Sequence, residues 1–178
     1  MIDFENDVLW ESEEVALSKL DNVGVNEKTI TDLVAISRKT QRGRVRFCAH
    51  RDPSAAQHEM FIVHPRHAYI PPHMHSSKSE SLLILAGIVD YFVFDNTGLI
   101  VEKISLGDLQ SGNCFYYRLN NSIYHSMLIH SETLVFLETS RGPFVREETH
   151  VAPWAPVDGD GESQEQFLEL LQNWKPSS

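Results

Sequence analysis

The chain has 178 residues, 42% hydrophobic and 22% charged, a composition that fits one globular domain with a core of its own. A formal net charge of −10 and a pI near 5.3 repel phosphate backbones and anionic lipid, so nucleic acid and membrane surfaces are excluded as expected partners. Cys48 and Cys114 are too few for a disulfide framework, the opening MIDFENDVLWESEE is acidic where a secretory signal is basic, and no apolar run nears the ~20 residues of a bilayer span. A cytoplasmic protein is expected.

Elements follow in chain order. Residues 6–20 carry Val8, Leu9, Val15, Ala16 and Leu20, a pattern open to a helix or a partly extended arm. In VNEKTITDLVAISRKT, Ile30, Leu33, Val34 and Ser37 recur at helical spacing with Asn26 or Thr29 as cap, which predicts a helix over 27–40. From residue 44 to about 148 the pattern shortens to runs rich in Ile, Val, Phe, Tyr and Leu between Gly, Pro, Asn and Asp turns. Such runs predict an antiparallel sandwich or barrel, with strands near HEMFIVH, HAYI, ESLLILA, IVDYFVFD, LIVEKISL, NCFYYRL, YHSMLIH, TLVFLETS and PFVREE. Asp95–Gly98 and Gly87 mark hairpin turns. The segment APWAPVDGDGE is a Pro/Gly-rich crossing, and SQEQFLELLQNW predicts a terminal helix with Phe167, Leu168, Leu171 and Trp174 on one face, packed outside the sheet. The expected organisation is a helical arm over 1–43, a barrel over 44–150, and the crossing segment with its helix over 151–178.

The chemistry concentrates in PPHMHSSKSESLLILAG. His73 and His75 stand at i and i+2, so a strand turns both imidazoles to one side, and Glu80 follows on what would be the neighbouring strand. His125 supplies a third imidazole from a later strand; His130, five residues on, faces the other way. Three imidazoles and one carboxylate suit a borderline divalent ion such as Fe, Mn, Ni, Co, Zn or Cu and leave two octahedral positions open. Arg42, Arg44 and Arg46 alternate and share a face that can grip a carboxylate or phosphate, or can serve as a basic strand edge. Lys78 can meet an anionic ligand or decorate a loop, and the Tyr117 phenol can donate to a ligand or pack. Glu138 reads as an exposed charge or as a partner to an imidazole N–H. His50, His58, His64, His67 and His150 read as structural or surface residues.

The run from His73 to Gly87 resembles the first cupin motif, His-x-His, a few residues, Glu, six residues, Gly. The second cupin motif is matched by its histidine alone, since Asn120 to Tyr124 stand where proline and glycine are usual. A closer resemblance is to the WbuC family of cupin metalloproteins, carried by RGRVRFCAHRDPSAAQHEMFIV, AYIPPHMHSSKSES, FLETSRGPF and THVAPWAPVDGDGE, from about residue 42 to 161. It implies an all-β, double-stranded β-helix (jelly-roll) barrel with His73, His75, Glu80 and His125 as metal ligands. It names no reaction, because cupins include isomerases, dioxygenases, decarboxylases and binding domains. The expected function is a metal-dependent cupin acting on or binding a small anionic or sugar-related ligand, by isomerase-like or dioxygenase chemistry. A non-catalytic sensor is the alternative, and a homodimer paired through a strand edge is expected.

Overall fold

The computed structural model describes residues 2–76 and 78–176, which form twelve strands and two α-helices. The strands are β1 (Val8–Ser12), β2 (Val15–Ser18), β3 (Val45–Cys48), β4 (Gln57–Pro65), β5 (His73–His75), β6 (Glu80–Ala86), β7 (Ile88–Phe94), β8 (Ile100–Gly107), β9 (Tyr116–Leu119), β10 (Tyr124–Ile129), β11 (Thr133–Arg141) and β12 (Thr149–Val151); the helices are α1 (Glu27–Ser37) and α2 (Gly161–Asn173). One sheet runs β1-β2-β3-β4-β11-β6-β9 and the other β12-β5-β10-β7-β8. Every pairing is antiparallel except β2 with β3.

Period-2 alternation sorts the side chains into three layers. Between the sheets lie Leu17, Met60, Ile62, Leu82, Ile84, Tyr91, Met127 and Phe136 with their neighbours, one continuous core. The residues between them in sequence point out. Ala16, Val45, Phe47, Val63 and Val135 pack with Leu33 of α1 on the outer face of the larger sheet. Phe92, Phe94, Tyr124 and Leu128 pack with Leu171, Phe167 and Trp174 of α2 on the outer face of the smaller one. Each sheet is thus covered by its own helix, and the space between sheets is left for the central core and the site. This is the cupin jelly roll.

Local chemistry fixes the element ends. The Asn26 side chain accepts from Thr29 N at 3.0 Å to start α1, and Asp160 accepts from Ser163 N at 3.3 Å to start α2. Gly87, between β6 and β7, holds φ +97°, and a Cβ there would lie 2.6 Å from the Thr133 carbonyl oxygen. Only glycine meets both conditions.

Three segments depart from the sequence reading. Residues 6–20 hold the hairpin β1–β2, so the extended option is the one adopted, and β2 continues the larger sheet by pairing with β3. The run HAYI has no strand pairing, and PFVREE forms a loop and a 3-10 turn at Arg146–Glu148 before β12. No helix among the described residues is long and apolar enough to cross a membrane.

Candidate metal centre

His73 and His75 occupy β5, a three-residue strand, and His125 lies directly opposite His73 on β10. The ligand nitrogens of the three histidines all lie within 4.8 Å of one another. Glu80 opens β6 and therefore reaches the group from the opposite sheet, not from a neighbouring strand of the same one. Its Oε1 is 2.8 Å from His125 Nε2 and its Oε2 is 3.3 Å from His75 Nε2.

Each ring is aimed from behind. His73 Nδ1 contacts the Pro71 carbonyl at 2.8 Å, His125 Nδ1 the Ile123 carbonyl at 3.0 Å, and His75 Nδ1 the Thr149 hydroxyl at 3.1 Å. A carbonyl oxygen can only accept, so His73 and His125 carry their proton on Nδ1 and turn Nε2 inward, the tautomer that a metal ligand needs. Tyr91, stacked on His125 with 5.5 Å between centroids, donates its hydroxyl to Glu80 Oε1 at 3.2 Å and fixes the carboxylate. The donor set fits one divalent transition ion.

Charge follows the same geometry. Burial, reinforced by the neighbouring imidazoles, pushes His73 down to about 4, so that ring is neutral. Burial also disfavours a charged His125, but the hydrogen bond and charge of Glu80 outweigh it and raise its pKa above the usual 6.5. Glu80 itself is disfavoured as an anion by burial, yet its bonds to His125 and His75 hold it well below the ordinary carboxylate range. A proton on His125 competes with a cation for Nε2. Metal affinity is therefore expected to climb as pH rises through the interval above 6.5, with proton release on binding, measurable by calorimetry in buffers of different ionisation enthalpy. Affinity flat from pH 6 to 8 would contradict it.

The cluster forms one wall of a cavity of about 720 Å³ between the sheets. Arg46 and Lys78, singled out from the sequence, line it. Lys78 donates to the Pro143 carbonyl at 2.7 Å and lies 5.8 Å above the Phe144 ring, so its charge is tied to the loop at the mouth. Arg44 is not brought to this cavity: its Nε is 3.0 Å from Glu14 Oε2, and the Arg42 guanidinium holds the same carboxylate. Tyr117 is also not among the lining residues; its ring packs against Tyr91 and its hydroxyl is 3.5 Å from Glu102. His130 points outward to Asp90, at 2.9 Å.

Four residues have a larger place here than their sequence reading gave them. Glu138 projects into the cavity, where burial and then the Glu80 charge raise its pKa to about 8, so its carboxyl holds a proton at neutral pH. His58 and His64 line the same space, and Tyr91 braces Glu80. The signal for all four is parity: Glu138 shares a face with Phe136, Tyr91 with Val89 and Val93, and His58 and His64 with Met60 and Ile62.

A family model described as a domain of unknown function (DUF6016) matches residues 25–106. No curated protein matches the sequence. Among solved structures, protein SO0799 from Shewanella oneidensis aligns with a TM-score of 0.55 at 11% identity, covering 83% of this chain and 97% of that one. Procruciferin, an 11S globulin from Brassica napus, gives 0.44 at 10% identity over 71% of this chain and 25% of its own. Bacillus subtilis oxalate decarboxylase gives 0.47 at 17% identity over 61% and 27%. The chain thus spans about a quarter of the latter two proteins. The likeness to SO0799 is one of fold.

Proposed function

We propose that the protein is a metal-dependent cupin in which His73, His75, Glu80 and His125 hold one divalent transition ion, and the adjoining cavity binds, and turns over, a small anionic or sugar-related molecule. The observation that carries this reading is the inward convergence of three imidazoles whose Nδ1 atoms are engaged behind them, faced by a buried carboxylate. A bound ion would supply Lewis acidity to a ligand oxygen. The chain's own groups do the remainder. Arg46 and Lys78 provide positive charge at the cavity, and the Glu138 carboxyl holds a proton that a ligand can accept. Isomerisation and oxygenation both use this arrangement, and assignment to the WbuC family, a cytoplasmic location and a homodimer belong to the same reading.

Protein purified without added metal is expected to contain transition metal by elemental analysis, or to take up about one equivalent on reconstitution. Less than about a tenth of an equivalent, with no uptake, would reject the reading. Glu80→Gln keeps the shape and removes the charge; metal affinity is expected to fall by roughly 10- to 100-fold. Unchanged affinity in a titration would remove Glu80 from the ligand set. Recovery of altered product distinguishes an enzyme from a sensor, which returns its ligand unchanged.

A further inference from the structure

The large cavity continues past the metal cluster into a second cleft, lined by Ser12, Glu14, Arg42 and Arg44, and the two share Val15, Arg46, Ile62 and His64. Strand register gives the depth of this junction. Ser140 on β11 lies opposite both Glu80 and His58, which marks the level of the metal cluster. Four residues along β11, Phe136 lies opposite Ile62, which is in turn opposite Arg46; two residues further, Leu134 lies opposite His64. Four strand residues rise about 13 Å. Glu138 sits midway.

The charges at the junction are unevenly answered. Glu14 takes both Arg42 and Arg44, and Arg51 is paired with Asp21. Arg46 is exposed, lines both spaces, and has no carboxylate or hydrogen-bond partner among the described residues. Beside it, His64 Nδ1 is buried with no hydrogen-bond partner among the described residues. A buried polar nitrogen left unmatched is costly, and a guanidinium with five donors beside a cavity is matched best by an oxyanion. His64 is kept neutral, its pKa pushed down to about 4 by burial and by the charges of Arg44 and Arg46, so its ring can donate one hydrogen bond without adding a proton to the site.

We infer that Arg46 and His64 form a distal oxyanion subsite and that the ligand is an elongated molecule, with metal-chelating oxygens at one end, a polar middle facing Glu138, and a carboxylate or phosphate at the other end. The chelating half of this statement rests on the metal reading above; the oxyanion half does not. The arrangement sets ligand length: a molecule that only chelates leaves Arg46 and His64 unmatched, and one with too short a spacer reaches one end only.

The test has two arms on the full-length chain. In the metal-free protein, inorganic phosphate and, separately, acetate are titrated while the imidazole nitrogen resonances of His64 are followed. His64 is expected to shift with at least one of the two ions, and Arg46→Gln to weaken that binding by about tenfold, the usual effect of losing a charge-assisted contact. In metal-loaded protein, adipic acid monohydroxamate, its phosphonate-ended analogue and uncharged hexanohydroxamic acid are compared. The charged tails are expected to bind about tenfold tighter than the neutral one, with the advantage abolished in Arg46→Gln, reduced in His64→Phe and partly kept in Arg46→Lys. Whichever tail binds tighter identifies the oxyanion. Resonances of His64 unmoved by both ions, or shifts identical in Arg46→Gln, would overturn the subsite. Failure to load metal would silence the second arm only, and so would count against the metal reading and not against this one.

Discussion

Replacing His73 and His75 together by alanine is expected to reduce bound transition metal from about one equivalent to less than a tenth, while the metal-free protein keeps its far-ultraviolet spectrum and cooperative unfolding. Two of the three imidazoles are lost, and both come from β5, whose histidines line the cavity and not the central apolar core. What β5 gives the fold is main-chain pairing with β10 and β12 and the packing of Met74 on the outer face, and both are untouched. The unfolding midpoint without metal should therefore change little, whereas any rise in midpoint on adding metal should vanish. Normal metal content in the double variant would mean that other groups bind the ion.

Phe47→Ala is expected to cost about 3–5 kcal/mol, the usual range for deleting a fully buried phenylalanine. Phe47 lies on the outer face of β3, edge-on to Phe4 at 5.6 Å and stacked on Phe61 at 6.3 Å, in the cluster that also holds Leu33 of α1 and Ala16 of β2. The N-terminal hairpin, α1 and the larger sheet meet in this one cluster. Chemical denaturation should show a single transition moved to lower denaturant; a loss below about 1 kcal/mol, or a separate early transition, would mean that the first forty residues are a detachable arm.

The core strands were legible as runs of six or seven residues rich in apolar, β-branched and aromatic types between turn signals, as in IVDYFVF and YHSMLI, both of which are buried on both faces. The hairpin at residues 6–20 was ambiguous for the opposite reason: two strands of five and four residues, VLWES and VALS, are too short to separate period 2 from period 3.6. In PFVREE the residue types favour a strand, but the chain turns over the cavity mouth there, with Phe144 N donating to the Pro53 carbonyl. The pairing of His73 with His75 was visible as spacing, since i and i+2 on a strand need no tertiary information. That Glu80 comes from the other sheet was not visible. Nor was the capture of Arg44, because its partner Glu14 is 30 residues away and nothing local announces a parallel pairing of β2 with β3. Arg46 differs from Arg44 only in what faces it.

Glu80 and the three histidines belong to opposite leaves of the sandwich. An ion seated among them would act as a rivet through both leaves, adding a tether that neither backbone pairing nor the apolar filling supplies. Breathing of the two leaves would then be slowest when the rivet is in place, and the rate at which deuterium enters the amides of β5 and β6 would follow ion occupancy in step.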